Sequence, residues 1–412
     1  MRIGFVGLGK LGLPCALAIE SKGHEVMGYD ISPDVINTIR RKSIPYKEIY
    51  AQEYLEKSKI KVGTLSQVTE FAEIIFVAVQ TPHEERYEGV TRLPEERVDF
   101  DYSHLRKAIR DTSREIEKTN EDMVVIIIST VLPGTIRRDI KPLLGKHSKL
   151  CYNPFFIAMG TTITDFLNPE FVLFGVDDPW AAEKAEMFYH TLHNKPFMKM
   201  SVESAELAKV AYNTYITSKI VIANTLMEIA HKMPNVNVDD VTSTLQMATE
   251  RIVSPKYMQG GMGDGGGCHP RDCIALSWLA RKINLSHDIY EDLMKAREDQ
   301  TSWLADLIEE NNPDNFPIVI LGKSFKPETN LTVGSPSILL ANILKERKLP
   351  FVMYDPYVDG EPPNFSKSLF FIGTKHSCWT ELNFPKGSIV IDPWRYIPDQ
   401  EGVKIIRVGG KD

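Results

Sequence analysis

The stretch that decides the fold is IGFVGLGKLG, residues 3–12. A short strand pattern at residues 3–6 runs directly into the spacing G-x-G-x-x-G, and a helix pattern follows over residues 14–22. A second strand pattern over residues 25–29 ends on Asp30. Strand, glycine turn, helix, strand and acid together form the fingerprint of dinucleotide binding. The sequence therefore predicts a doubly wound α/β domain that holds a dinucleotide.

The glycines and the acid of this fingerprint each have a physical task. Gly7 makes the tight turn, Gly9 lets the backbone approach a pyrophosphate, and Gly12 lets the helix pack on the strand. The phosphates then face a helix N-terminus, which favours anions. Asp30 would accept hydrogen bonds from ribose hydroxyls and repel a 2′-phosphate, so NAD is predicted rather than NADP. The predicted cofactor residues of this loop are Gly7, Gly9, Lys10, Leu11, Gly12 and Asp30.

Two strongly apolar strand patterns, residues 73–79 and 123–128, continue the sheet. The first runs into Thr81 and Pro82, and the second runs into Thr130. Ligands of doubly wound sheets bind at the carboxyl ends of the strands. These three residues are therefore added to the predicted cofactor site, although the two hydroxyls could equally cap helices.

The middle of the chain changes to helical patterns. Residues 202–233 predict a long, largely buried helix that carries Lys209 and Asn213 four residues apart on one face. A lysine on an apolar helix is costly to bury without a partner, although a snorkelling lysine beside a chance asparagine also fits. After a break at residues 312–315, a smaller α/β pattern begins at Ile318 without a second glycine fingerprint.

Composition and charge exclude several classes of protein. The 412 residues are 43% hydrophobic and 25% charged, which is ordinary for a soluble globular protein. A net charge of −7 gives no general attraction to nucleic acid or to anionic membranes, and no apolar stretch has the length of a membrane span. Five scattered cysteines and the lack of a signal-peptide pattern predict a cytoplasmic protein. No zinc-ligand spacing is present, so no metal is expected.

A glycine-dense run, GGMGDGGGCHPRD at residues 260–272, is the second distinctive stretch. Each glycine loses more conformational entropy on folding than another residue would, so such a run favours close approach of backbone to a ligand. Cys268 stands at its end, and a nearby cation or helix N-terminus would stabilise its reactive thiolate. A surface turn followed by an ordinary buried cysteine is the alternative interpretation.

Taken in order, these segments resemble the nucleotide-sugar 6-dehydrogenases, the UDP-glucose and GDP-mannose dehydrogenase family. Besides the fingerprint, the matching segments are Gln80-Thr81-Pro82, Ser129–Thr135, Ala205–Lys209 with Asn213, Gly263–Asp272, Phe325-Lys326-Pro327 and Tyr354-Asp355-Pro356. The resemblance implies an NAD-binding Rossmann domain over residues 1–198, a central helical dimerisation domain over 199–312, and a smaller Rossmann-like α/β domain over 313–412 that binds the nucleotide sugar. It also implies a homodimer and a nucleotide-sugar substrate, with a UDP-sugar favoured.

The resemblance further implies a twofold oxidation of a primary alcohol through a cysteine thiohemiacetal and thioester. The implied catalytic residues are Cys268, Lys209, Asn213, Asp272 and Thr130. Lys209 would stabilise oxyanions, Asn213 and Thr130 would hold a water, and Asp272 would orient or deprotonate that water. The implied substrate residues are Phe156, Ile157, Lys209, Asn213, Arg251, Tyr257, Gly263, Gly265 and Lys326. Arg251 resembles an arginine that reaches across the dimer.

Several positions depart from the family pattern. Phe155 and Met159 stand where the family has glutamates, and the first glutamate usually takes part in water activation. The loop around the cysteine has Asp264, Gly267, His269 and Arg271 in place of an aromatic, a serine, a phenylalanine and a lysine, and the family's Asp-x-Arg is residues 331–333 here. The polar residues 83–99 form an unusually long segment and predict an exposed excursion.

These departures keep other functions open. The chain could oxidise a different activated alcohol, stop at the aldehyde, or bind NAD without catalysis. A hydroxyacid or 6-phosphogluconate type of dehydrogenase shares the N-terminal fold and a Lys-Asn helix but has no catalytic cysteine. The nucleophile is needed only for the second oxidation, so the presence of Cys268 favours the carboxylic acid as product.

Overall fold

A computed structural model describes residues 1–82, 84–250, 256–257, 259–263, 266–361 and 363–410. The chain divides into two compact units. The first unit comprises residues 1–82 and 100–211, and the second comprises residues 83–99 and 212–412.

The first unit is built around a sheet of eight strands. Its strands are β1 (Arg2–Val6), β2 (Glu25–Tyr29), β3 (Lys61–Val62), β4 (Ile74–Val77), β5 (Met123–Ile127), β6 (Ser148–Tyr152), β7 (Val172–Val176) and β8 (Phe197–Met200). The strand order is β3-β2-β1-β4-β5-β6-β7-β8, and the pairings are parallel except that of β6 with β7. Every residue of β4 and β5 is buried, as expected for central strands covered on both faces. The predicted doubly wound fold is confirmed.

Seven helices accompany this sheet. They are α1 (Gly12–Ser21), α2 (Pro33–Arg41), α3 (Ala51–Lys57), α4 (Leu65–Phe71), α5 (Ser103–Thr119), α6 (Thr162–Leu167) and α7 (Pro179–Tyr189). The crossover from β3 to β4 takes the chain past β1, so the strand order reverses between β1 and β4. At such a point the carboxyl ends of the strands leave a crevice for a ligand.

Helix α8 (Val202–Lys232) begins in the first unit and continues in the second. The second unit then contains α9 (Val238–Met247), α10 (Cys268–Lys282), α11 (Ile289–Glu310), β9 (Ile318–Leu321), α12 (Pro336–Glu346), β10 (Phe351–Tyr354), β11 (Leu369–Ile372), β12 (Ile389–Asp392) and β13 (Lys404–Arg407). Its five strands form a parallel sheet in the order β10-β9-β11-β12-β13. Short helical turns cover Glu85–Tyr87, Ile136–Ile140, Lys141–Leu143 and Ser377–Glu381.

Residues 84–99 pack within the second unit rather than extending into solvent. Tyr87 is fully buried and belongs to a small apolar cluster with Cys273 of α10 and Met294 of α11. The carbonyl oxygen of Gly89 accepts a hydrogen bond of 2.6 Å from Arg297, which is itself buried. The prediction of an exposed excursion is wrong for this part of the segment because its tyrosine and backbone carbonyls find partners on distant helices.

Candidate active site

The glycine turn after β1 has the geometry that a dinucleotide requires. Gly7 has a positive φ of 96°, and a Cβ there would lie 2.5 Å from the carbonyl oxygen of Ala78. A side chain at Gly12 would collide with the carbonyl oxygen of Gly7, so α1 can start against the strand only with glycine there. A Cβ at Gly9 would meet no atom of the described chain within 4 Å. The turn is therefore closed on the protein side and open where a pyrophosphate would approach.

Asp30 is fixed at the carboxyl end of β2. Its Oδ2 accepts the backbone N–H of Leu8 at 2.7 Å, and its Oδ1 accepts that of Ser32 at 2.8 Å. Each carboxylate oxygen has a second lone pair, so the side chain can still accept from a ribose hydroxyl. The acid and the open glycine turn both fit NAD. Of the other predicted cofactor residues in this loop, Lys10 is exposed and Leu11 packs against the core of the first unit.

The carboxyl ends of β4 and β5 are joined by side-chain hydrogen bonds. The hydroxyl of Thr81 donates to the carbonyl oxygen of Thr130 at 2.7 Å, and Ser129 donates to the carbonyl oxygen of Val79 at 2.5 Å. These bonds bring Thr81, Pro82 and Thr130 together at one edge of the sheet. The Thr81 hydroxyl thus connects the segments that follow β4 and β5. Its oxygen still has lone pairs that can accept a hydrogen bond from a ligand.

Glu206 on α8 is a buried carboxylate that sequence reasoning did not single out. Its two oxygens accept the backbone N–H groups of Gly134 at 2.5 Å and Ile136 at 2.7 Å. Burial raises its pKa to about 7, although these two N–H groups act in the opposite direction. Glu206 therefore ties the loop after Thr130 to the helical turn that precedes Lys209. Its only signal in the sequence was an acidic residue on the apolar side of a long helix.

Lys209 is buried beside an aromatic ring. Its Nζ lies 5.1 Å from the ring centroid of Phe156, and the Phe156 ring packs on Phe171. A cation over an aromatic face is stabilised by the ring's quadrupole. Ile157 packs against the apolar core of the first unit, as does Phe155, whose ring centroid lies 5.3 Å from that of Phe166. The position of the missing family glutamate is therefore part of an aromatic cluster.

In the second unit, Cys268 is the first residue of α10 and is exposed. Pro270 follows in the first turn, where a missing backbone N–H costs no helical hydrogen bond. The first N–H groups of a helix have no partner within the helix and point toward whatever lies at its start. Burial alone would lower the pKa of Arg271, but the charges of Cys268 and Asp272 outweigh burial and raise it. The first turn of α10 therefore carries the exposed sulfur of Cys268 and, three residues later, the charged guanidinium of Arg271.

Asn213 of α8 and Asp272 of α10 form a buried pair. The amide of Asn213 donates to Oδ2 of Asp272 at 2.7 Å, and Oδ1 of Asp272 lies 3.5 Å from Nε of Arg271. One turn further along α8, the hydroxyl of Thr217 donates to the carbonyl oxygen of Asn213 at 3.2 Å and lies 3.1 Å from Nδ1 of His269. These contacts hold two of the predicted catalytic residues, Asn213 and Asp272, near the end of α10 at which Cys268 lies.

The described glycines before Cys268 are packed against protein rather than open. A Cβ at Gly261 would collide with the ring of Trp394, and one at Gly263 would lie 2.6 Å from Pro336. Asn224 of α8 holds the same loop, because it accepts the N–H of Gly261 and donates to the carbonyl oxygen of Gly263, each at 3.0 Å. The sequence predicted close approach of a ligand to these glycines. In the structure, other parts of the protein lie against the described ones. Gly265, Asp264 and Arg251 lie outside the described residues.

Lys326 follows β9 at the reversal of strand order in the smaller sheet, between β9 and β11. The loop before it is held by Asp355 at the end of β10, whose Oδ2 accepts the N–H groups of Lys323 and Ser324 at 2.7 and 3.0 Å. Burial would raise the pKa of Asp355, but hydrogen bonds from His376 and from this loop lower it to about 2. Asp355 thus holds the loop after β9 through backbone N–H groups, as Asp30 holds the N–H of Leu8 in the glycine turn after β1. Tyr257, also a predicted substrate residue, is 45% exposed.

The open glycine turn, the fixed acid and the doubly wound sheet define an NAD-binding protein. The chain belongs to the UDP-glucose/GDP-mannose dehydrogenase family, because the family's NAD-binding domain matches residues 1–193 and its central domain matches residues 203–298. The resemblance found in the sequence and the prediction of NAD are both confirmed. The protein is therefore an NAD-dependent nucleotide-sugar dehydrogenase.

Individual relatives differ in their named substrates. The GDP-mannose 6-dehydrogenase of Pseudomonas aeruginosa is 29% identical over 373 residues, which cover 87% of this chain and 82% of that protein. The UDP-glucose 6-dehydrogenase of Rickettsia conorii is 25% identical over 98% of both chains. Among solved structures, the UDP-D-ManNAc dehydrogenase of Pyrococcus horikoshii is 25% identical with a TM-score of 0.82 and covers 99% of both chains.

The UDP-glucose dehydrogenase of Pyrobaculum islandicum has the same fold, with a TM-score of 0.86 at 23% identity, covering 100% of this chain and 98% of that one. Within the described residues, no helix is long and apolar enough to cross a membrane. The same residues contain no cluster of three or more His, Cys, Asp or Glu side chains that could hold a metal ion.

Proposed function

We propose that the protein oxidises the primary alcohol of a nucleotide-activated sugar twice, to the carboxylate, through a covalent intermediate on Cys268. The observation that carries this proposal is the exposed Cys268 at the N-terminus of α10, beside Arg271 and the buried Asn213–Asp272 pair. An oxidation that ends at an aldehyde needs no such nucleophile. A UDP-sugar is the first candidate, and the relatives named for GDP-mannose and UDP-ManNAc make those sugars the next to test.

The cofactor residues of the first unit would hold NAD, which accepts a hydride in each oxidation. Lys209, held under the Phe156 ring, would stabilise the alkoxide and the later oxyanions. The Cys268 thiolate would add to the aldehyde carbon, and loss of a proton and a hydride from this adduct gives a thioester. Asn213 and Thr130 would hold the water for hydrolysis, and Asp272 would orient or deprotonate it. Lys326 and Tyr257 would contact the nucleotide sugar.

The stoichiometry of NADH tests the reaction directly. Incubation with NAD and a panel of UDP-glucose, GDP-mannose and UDP-ManNAc should yield two NADH and one uronic acid per sugar consumed. Cys268→Ala should form at most one NADH per sugar and no acid, because the aldehyde has no thiol to capture it. Cys378→Ala, at a half-buried cysteine in the C-terminal part of the second unit, is the matched control and should behave as wild type.

Three outcomes would favour other functions. One NADH per sugar with release of free aldehyde would show that oxidation stops early, which the loss of the family glutamate at Phe155 allows. Unimpaired turnover of Cys268→Ala would favour a dehydrogenase of the hydroxyacid type. Tight NAD binding without turnover, and no alkylation of Cys268 by iodoacetamide, would favour a non-catalytic NAD-binding protein.

We also propose that the protein is a homodimer that works in the cytoplasm. One face of α8 supports the dimer, because four large apolar side chains on it are between 46% and 54% exposed. They are Leu207, Tyr215, Ile222 and Ile229. Their spacing of seven or eight residues places them in one stripe along the helix. An apolar stripe of this kind is typical of a protein interface.

A further inference from the structure

His269 is a chemically active residue at a position where the family pattern has phenylalanine. It directly follows Cys268 in the first turn of α10 and is half-buried. An imidazole is the side chain whose ordinary pKa suits proton transfer near neutral pH. The substitution therefore places an acid–base group directly after the nucleophile in the sequence, in the same turn of the helix.

The Thr217 hydroxyl lies between a backbone acceptor on α8 and the ring of His269. It donates to the carbonyl oxygen of Asn213 at 3.2 Å and lies 3.1 Å from Nδ1 of His269. In the tautomer in which Nδ1 donates to this hydroxyl, Nε2 carries the basic lone pair of the neutral ring.

The other candidates for a general base are less suitable. The ring of Phe155, which stands where the family has its glutamate, packs against Phe166 and Phe76 and offers no proton acceptor. Asp272 is fully buried, with Oδ2 accepting from Asn213 and Oδ1 facing Arg271. Asp272 is therefore better suited to hold Asn213 in place.

We infer that His269 is the general base that activates water for hydrolysis of the Cys268 thioester, an inference that rests on the proposed function. The water oxygen bonds to the thioester carbonyl carbon while Nε2 takes one of its protons. The tetrahedral adduct then breaks its C–S bond, and the electron pair leaves on Sγ as the thiolate. The product acid and the imidazolium each release a proton to solvent. This step transfers no electrons to or from the protein, so it needs no oxidant.

A stalled thioester is the result that tests this role. With whichever of UDP-glucose, GDP-mannose and UDP-ManNAc the wild type oxidises, His269→Ala should give a burst of two NADH per active site. Steady-state turnover should then fall by roughly 10²-fold or more, the usual contribution of a general base. Intact-mass analysis of quenched enzyme should find the sugar acyl group on Cys268, and hydroxylamine should release it as a hydroxamate.

Rescue and control variants separate a base from a structural residue. Added imidazole should restore turnover of His269→Ala, whereas His269→Phe, which returns the family residue, should stall without rescue because its ring fills the space. Thr217→Val keeps the imidazole and removes its anchor, so a smaller loss is expected. His287→Ala removes a surface histidine of the second unit and should match wild type.

The outcomes distinguish this inference from the proposed function. If wild type forms two NADH and acid while His269→Ala does so at the same rate, the role of His269 is wrong and the proposed function stands. Loss of the NADH burst in a folded His269→Ala would also overturn the role, since it places the residue before the thioester. If His269→Ala does not fold, the near-isosteric His269→Gln should show the acyl adduct instead. A wild type that makes no acid from any of the three sugars would overturn both proposals.

Discussion

The amide of Asn213 donates to Oδ2 of Asp272 across 2.7 Å, and both side chains are buried. This bond joins α8 to the first turn of α10, where Cys268 lies. A buried amide that lost its acceptor would leave a polar group unpaired, which costs about 1–3 kcal/mol. The Asn213–Asp272 hydrogen bond therefore both stabilises the second unit and fixes the end of α10 that carries Cys268.

Asp272→Asn should separate the charge of this pair from its hydrogen bond. The new amide oxygen can still accept from Asn213, so we expect a small change in the free energy of unfolding. The negative charge beside the Asn213 amide is lost, so the amide is held less firmly, and kcat for NADH formation should fall by roughly 10-fold, less than the 10²-fold or more expected for loss of a general base. Asp272→Ala should add an unfolding penalty of about 1–3 kcal/mol. Asp306→Asn, at a half-exposed ion pair, is the control, and wild-type kcat in Asp272→Asn would contradict the assignment.

Glu206 should make stability depend on pH. Its pKa of about 7 in the folded protein exceeds its ordinary value of 4.5 because the side chain is buried. The folded state therefore holds a proton that the unfolded state has lost between these values, and the associated stability disappears as pH rises through about 7. The full effect amounts to about 3 kcal/mol. The midpoint of thermal unfolding should fall between pH 5 and 7.5.

Glu206→Gln should reduce this pH dependence, because the amide does not titrate. Glu203→Gln, one turn earlier on α8, provides a matched control. A hydrogen bond and charge from Arg137 lower the pKa of Glu203, so its titration lies below this pH window. Equal slopes for wild type and Glu206→Gln between pH 5 and 7.5 would show that the pKa of Glu206 is not raised by folding, which would contradict this prediction.

Returning the family glutamate at Phe155 should damage the protein rather than improve it. The Phe155 ring lies among aromatic rings, with Phe166 at 5.3 Å and Phe76 at 6.5 Å between centroids. A carboxylate at this half-buried position would lose the aromatic packing and have no charged partner among these rings, so we expect a loss of about 2 kcal/mol or more. Phe155→Leu should cost less, about 1 kcal/mol. Urea unfolding compares the two, and a stable Phe155→Glu with faster acid release would refute this expectation.

Ile222→Glu should weaken the proposed dimer. Ile222 is 54% exposed within the apolar stripe of α8, so a charge there would be buried against the partner subunit. Sedimentation velocity should show a dimer for wild type and a shift toward monomer for the variant. Met187→Glu places the same charge at a 61% exposed methionine of α7 and should leave the association unchanged. A monomeric wild type would contradict the proposal.

The fold could be predicted from the sequence because its signals are local. The fingerprint of residues 3–12 and the apolar strands β4 and β5 are visible within short windows, and the structure has them where expected. The predicted long helix over residues 202–233 is α8, which ends at Lys232. The burial of residues 84–99 could not be predicted in this way, because the residues that bury Tyr87 lie about 200 positions away. No sequence periodicity in the segment indicates such contacts.

The chemistry of the candidate site was only partly visible in the sequence. Cys268, Asn213 and Asp272 could be named from motifs, and the hydrogen bond between the last two agrees with that grouping. The raised pKa of Glu206 depends on burial, which a single carboxylate in a helix does not reveal. The contact between Thr217 and His269 joins residues 52 positions apart, so it is visible only in the folded structure.

The path of residues 84–99 decides how the protein can be divided. The chain leaves the first unit after Pro82 and returns at Phe100, and the N–H of Asp101 donates to the carbonyl oxygen of Pro82 at 2.9 Å. A fragment ending near Ala211 would carry Tyr87 without the helices that bury it and would be prone to aggregate. Because the ends of the segment already meet, a short Gly-Ser bridge in its place should yield a separately expressible NAD-binding fragment.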